Sequence, residues 1–148
     1  MKIVLREEGE IRETEITIVC PQVDEQILRL VAGLRAFDKK ITGVREDQTF
    51  LLGPHEILYI DTTDRRTFLY TAEAVYETPL KLYELADRLS QDEFFRASKS
   101  CVINFSKIKS LRPEFGGRLA VTMENGEQLT ISRQFVPDVK KKLYMEGE

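Results

Sequence analysis

The chain has 148 residues, enough for one domain with a real core or for one domain plus a short extension. Hydrophobic residues make up 42% of it, which excludes an intrinsically disordered chain, and no apolar run reaches the roughly 18–20 residues needed to span a membrane. The net charge of −3 is unevenly spread, with 8 basic and 13 acidic side chains over residues 1–64 and 14 and 12 over residues 65–148.

The first residues, MKIVLREEGE, put charge where a signal peptide needs an apolar stretch, so a cytoplasmic protein is expected. Ile3 and Leu5 alternate over residues 2–6, and Ile16, Ile18 and Cys20 over residues 14–20. Both stretches predict strands, joined by the polar residues 8–10. Val23, Ile27, Leu30, Leu34 and Phe37 then recur at helical spacing, with Asp24 and Glu25 in the first turn, which predicts a helix over 22–37. Its apolar stripe is expected to pack on the chain's own sheet, or else on a second copy.

Residues 41–45 and 49–52 read as a hairpin around Glu46 and Asp47. Residues 57–60 and 67–71 read as two strands joined by the polar stretch 61–66. Thr78 can cap, Pro79 suits a first helical position, and Leu82, Leu85, Ala86 and Leu89 share a face, which predicts a helix over 79–90. Residues 94–108 are apolar and β-branched, interrupted by Ser98, Lys99 and Ser100. Gly116 and Gly117 mark a turn.

The alternation of Leu119, Val121 and Met123, followed by Leu129 and Ile131, fixes a register. A two-residue turn at Asn125 and Gly126 would set Val121 and Leu129 on opposite faces. A three-residue loop, 124–126, pairs 121 with 129 and 119 with 131 and keeps every apolar side chain on one face. The loop should be a type I turn with a G1 bulge and a left-handed Gly126. Pro137 and Asp138 open a last helix, 137–144, with Val139 and Leu143 inward. Strands run together without alternating with helices, so the class is α+β.

The chemistry points away from an enzyme. Cys20 and Cys101 form no CxxC pair and are expected to be buried, reduced thiols. His55 is the sole histidine and is expected on the surface near the start of an element, so no metal site or cofactor is expected. There is no Gly-rich phosphate loop and no nucleophile elbow. Residues 94–112 carry Arg96, Lys99, Lys107, Lys109 and Arg112 with no acid, and residues 132–145 add Arg133, Lys140, Lys141 and Lys142 against Asp138. Such clusters can neutralise phosphates on an acidic protein, although charge alone suits a solvated face better.

The segment Phe94-Phe95-Arg96-Ala97-Ser98-Lys99-Ser100-Cys101-Val102-Ile103-Asn104 resembles the central motif of LytTR domains: a Phe and an Arg, a short loop, a Ser, an apolar triplet and an Asn. The order around it is similar too. A strand at 57–60, a polar turn and a helix lie upstream, and Ile108, a Gly-containing hairpin and Ile131-Ser132-Arg133 lie downstream, so the resemblance covers roughly residues 46–144. One departure is Ser98, where many members carry His.

The resemblance implies an elongated set of small β-sheets whose end loops enter the DNA major groove. Carried onto this chain, those loops are 64–67, 98–99 and the stretch ending at Arg133. The DNA-contact candidates are Arg65, Arg66, Thr67, Ser98, Lys99 and Arg133. Arginine can pair bidentately with guanine, and Ser and Lys suit bases or phosphates. Arg96 is expected to be structural and Asn104 to cap backbone.

Residues 46–148 are thus expected to form the DNA-binding domain of a transcription regulator. Residues 1–45 are too short for the receiver domain of two-component members. They are expected to form a β-β-α extension that stabilises the domain or mediates self-association and faces away from DNA. The expected partner is double-stranded DNA with repeated half-sites, read by a homodimer, with no membrane insertion. The alternative is a protein-interaction module that keeps the fold without binding DNA.

Overall fold

The computed structural model describes residues 1–90 and 93–146, with side chains as far as Leu143. The chain divides into two units, Met1–Arg35 and Ala36–Glu148.

In the first unit residues 1–24 form neither helix nor strand, so the two strands expected at 2–6 and 14–20 are absent. Ile3, Leu5 and Ile16 are exposed, and Cys20 is a half-buried free thiol. The alternation is present, but it has no ladder partner among the described residues, and an isolated two-stranded hairpin is marginal in water. The expected helix is α1, Glu25–Asp38. Asp24 caps it, its Oδ1 accepting from the Ile27 N–H at 2.9 Å, and Glu25 pairs with Arg29 one turn on at 2.9 Å. None of its residues is buried; Ile27, Leu30, Val31 and Leu34 are half-buried.

The second unit holds two antiparallel sheets. The strands are β1 (Ile41–Arg45), β2 (Gln48–Leu52), β3 (Ile57–Thr63), β4 (Arg66–Thr71), β5 (Val75–Thr78), β6 (Phe94–Ser98), β7 (Cys101–Asn104), β8 (Ile108–Glu114), β9 (Arg118–Met123) and β10 (Gln128–Ile131). Two further helices are α2 (Leu82–Arg88) and α3 (Val136–Glu146). Seven strands form one sheet in the order β2-β1-β5-β4-β3-β7-β6, and β10-β9-β8 form the other. β1 belongs to the large sheet, and its Ile41 is fully buried there.

Several expectations survive with changed limits. β1 and β2 meet in a two-residue turn, with Glu46 and Asp47 at φ of 52° and 63°. β3 and β4 run further than their apolar residues suggest, to the pair Thr63↔Arg66, so Asp64 and Arg65 alone make the turn. α2 starts three residues later than expected. Thr78 is committed to β5, opposite Thr67, and Lys81 takes the cap position, its N–H donating to Glu84 Oε1. The 124–126 loop has the expected register: Leu129 faces Val121, Ile131 faces Leu119, and Gly126 has φ 90°.

Two cores form on opposite sides of the large sheet. The first gathers Ile41, Leu52, Ile57, Ile60, Leu69, Phe94 and Val102 under Leu82, Leu85 and Leu89 of α2 and its end. The second joins Leu58, Tyr59, Ala97 and Ile103 to Leu119, Val121, Met123 and Ile131 of the small sheet and to Val136 and Val139 of α3. Strict alternation would group Leu58 with Ile60. A bulge in β3 between Ile57 and Tyr59 breaks the alternation and sends Leu58 and Tyr59 to the second core together.

Candidate nucleic-acid interface

Three of the four loops that meet at one end of the domain are those expected from the sequence. The β3–β4 turn presents Asp64 and Arg65 with left-handed backbone, φ 53° and 65°, the two-residue geometry whose twist matches a hairpin. The β6–β7 loop follows the pair Ser98↔Cys101 and presents Lys99 and Ser100. The Thr62 N–H donates to the Ser100 carbonyl at 2.9 Å, which holds this loop against the base of the first turn. On the other side, the Ser132 N–H donates to the Ala97 carbonyl at 2.8 Å, which brings Arg133 beside the same loop.

Arg96 shapes the central loop from within. Its Nε donates to the Ser98 carbonyl at 3.1 Å and its Nη2 to the Lys99 carbonyl at 2.8 Å. The Ser100 N–H adds a bond to Ser98 Oγ at 3.2 Å. Arg96 is therefore structural, as expected, and it acts through the loop carbonyls. Asn104 is buried and caps backbone: its Nδ2 donates to the Ile57 carbonyl at 2.9 Å, and its Oδ1 accepts from Ser106 N–H and Oγ.

The sequence candidates fall into two groups. Arg65, Lys99 and Arg133 are exposed, and Ser98 is half-buried beside them. Arg66 and Thr67 do not join them in the same way. Arg66 makes a two-bond pair with Glu77, at 2.5 and 3.2 Å, and its guanidinium lies 5.3 Å from the Phe68 ring centre. The pair pulls the Glu77 carboxyl below its ordinary pKa and raises that of Arg66. Thr67 is buried, set between Thr62 and Thr78 in the ladder, so its side chain is not presented to solvent.

Behind the loops lies a cluster with unusual ionisation. Asp61 pairs across strands with Cys101, and burial holds its carboxyl above the usual range. Burial, assisted by Asp61, pushes the Cys101 thiol up to about 12. Such a thiol stays protonated and is a poor nucleophile. Cys101 is half-buried, so it is less enclosed than expected. Tyr59 stacks on Tyr70 with centroids 4.2 Å apart, and burial raises the pKa of both phenols. His55 is exposed in a short 3-10 turn, Pro54–Glu56. Among the described residues, no group of three or more His, Cys, Asp or Glu could hold a metal ion, and no helix is long and apolar enough to cross a membrane.

A fourth element belongs to this end. The β8–β9 turn, residues 115–117, reaches the same end, because Leu119 at its base pairs with Ile131 just before Ser132. Its two glycines were the available signal, but a turn signal alone does not say which loops the turn will join.

The family model described as the LytTr DNA-binding domain matches residues 47–144. The chain belongs to the LytTr family. The LytTr DNA-binding domain of a response regulator from Bacillus cereus has the same fold, with a TM-score of 0.68 at 23% identity over 71% of this chain and 96% of that one. The sensory transduction protein LytT of Enterococcus faecalis is 28% identical over 66% of this chain and 40% of its own length. The transcriptional regulatory protein LytR of Staphylococcus aureus is 30% identical over 72% of this chain and 44% of its own. The chain thus spans less than half the length of those two relatives. An uncharacterized HTH-type transcriptional regulator of Staphylococcus aureus is 23% identical over 88% of this chain and 90% of its own. The LytTr fold of the present chain contains no helix-turn-helix among the described residues, since strands separate all three helices.

Proposed function

We propose that this LytTr chain is a DNA-binding transcription regulator, not an enzyme, and that its converging loops read sequence in the major groove. The observation that carries this reading is the convergence itself. Two main-chain hydrogen bonds, Thr62 to Ser100 and Ser132 to Ala97, gather exposed Arg65, Lys99 and Arg133 at one end of a rigid double-core domain. Held in this way, side chains of the right chemistry lose little freedom when they meet base edges and phosphates. Arg133 and Arg65 suit guanine edges, Lys99 and Ser98 suit phosphate or base acceptors, and Arg66 acts through its ion pair by stiffening the β4–β5 ladder beside the turn.

The regulator is cytoplasmic and occupies repeated half-sites as a homodimer. Residues 1–35 serve stability or self-association and do not read DNA. Their charge, 5 basic against 7 acidic side chains, disfavours a phosphate contact.

The test is selection of bound duplexes from a random pool, followed by a salt series on the winner. Log affinity should fall linearly with log salt. Arg133→Ala and Lys99→Ala should each weaken binding while circular dichroism stays native, by about 1–3 kcal/mol where the lost group makes a base contact. Salt-independent binding, or no selected sequence, would favour a protein-interaction module instead. That reading has its own support in Val44, Leu51 and Val75, exposed on one face of the outer strands.

A further inference from the structure

The β8–β9 turn holds an aromatic residue in open solvent and runs, at Gly117, beside Arg133. β8 and β9 pair as far as Glu114↔Arg118, so residues 115–117 are a three-residue tip on a rigid ladder. Gly116 and Gly117 have φ of 86° and 78°, a conformation that suits glycine. Phe115, the remaining tip residue, is 94% exposed. A Cβ added at Gly117 would stand 3.4 Å from Arg133 Cγ and 3.5 Å from Cδ, so the tip lies along that side chain. A Cβ added at Gly116 would meet nothing within 4 Å. Arg112 and Arg118 are exposed on the face of the small sheet opposite Leu111 and Leu119, with half-buried Glu114 the one acid at the tip.

A single exposed apolar residue is common and does not name a partner by itself. The neighbours do. Arg112 and Arg118 on the strands that carry the tip, and Arg133 along Gly117, give this end a basic excess over Glu114, which suits a surface that is anionic and still offers apolar edges between its charges. Duplex DNA meets both conditions, with phosphates beside sugar and base edges, and proteins insert apolar side chains there. The glycines remove side chains from the rest of the tip and let its backbone approach closely.

We propose that the 115–117 tip is a fourth DNA-contacting element. Phe115 packs on sugar and base edges of the minor groove next to the groove that Arg133 enters, and Arg118 lies on a phosphate. This rests on the DNA-binding reading above and extends it to an element outside the three expected loops.

The chain has no tryptophan, so Phe115→Trp in the full chain is a single-site reporter. On addition of the selected duplex its emission should shift to the blue and its quenching by acrylamide should fall, while Tyr83→Trp on α2 should not respond. Phe115→Ala should lower affinity about tenfold with the salt slope unchanged, because the lost group is uncharged, and Arg118→Ala should reduce the slope by about one. If the wild-type chain binds the duplex but Phe115→Trp is silent and Phe115→Ala binds as tightly, the tip is no contact and the three-loop reading stands. If the wild-type chain binds no duplex, the DNA reading fails and the tip proposal with it.

Discussion

Arg96 and Asn104 belong to one motif and do different work. Arg96 fixes the loop that carries Lys99, so Arg96→Ala should leave the domain folded yet weaken DNA binding about tenfold, because the loop must then be ordered on binding. Titration of the selected duplex checks this, and affinity equal to wild type would show that the clamp is idle. Asn104 satisfies a buried carbonyl, so Asn104→Ala should cost about 1–3 kcal/mol in urea unfolding. Asp61 gives a pH signature. Its carboxyl is raised in the folded state, so folding binds protons and stability falls as pH rises from the ordinary carboxylate range through the raised value. Asp61→Asn should therefore raise Tm at neutral pH, with the gain shrinking toward acid pH; a gain that grows on acidification would reverse the assigned sign. Both motif roles could be anticipated from the sequence, since Arg96 precedes a polar loop and Asn104 ends an apolar run. The fate of Thr67 could not, because its burial depends on Thr78, a neighbour supplied by a strand that the pattern did not reveal.

Elements whose signals are local were legible. The 124–126 loop followed from register alone, since only one loop length keeps Val121, Met123, Leu129 and Ile131 together. The limits of β3, β4 and α2 were not, because each is set by pairing. β3 extends through Asp61, Thr62 and Thr63 and β4 begins at Arg66, polar residues that a hydrophobic pattern assigns to a turn. β5 is four residues long and carries Glu77, and it exists because β4 and β1 flank it. The strands expected near the N-terminus fail for the converse reason, since alternation without a partner makes no ladder. α2 depends on the cover it gives the sheet. Leu85 is fully buried, and Leu85→Ala should cost about 2–5 kcal/mol, read as a lower urea midpoint with unchanged slope.

At the scale of the molecule, both cores are built from residue 41 onward. Removal of residues 1–35 should therefore leave a folded domain that keeps its DNA sequence preference, with size-exclusion chromatography reporting any loss of self-association. Loss of preference in a folded, monodisperse truncation would make those residues readers. The two-sided sheet has a further consequence for how the protein opens. β3 places Ile57 and Ile60 in one core and Leu58 and Tyr59 in the other, and β7 divides Val102 and Ile103 in the same way. Neither strand can be released while either core survives, whereas β2 sits at a sheet edge and can fray alone. Amide protons of β3 and β7 should thus exchange with deuterium only through global unfolding, at the free energy that denaturant reports. Those of β2 should exchange through smaller openings. One strand at the turn at Asp64 and one at the loop at Lys99 would then be the last to let go, and both loops would keep an anchor while the sheet edges open.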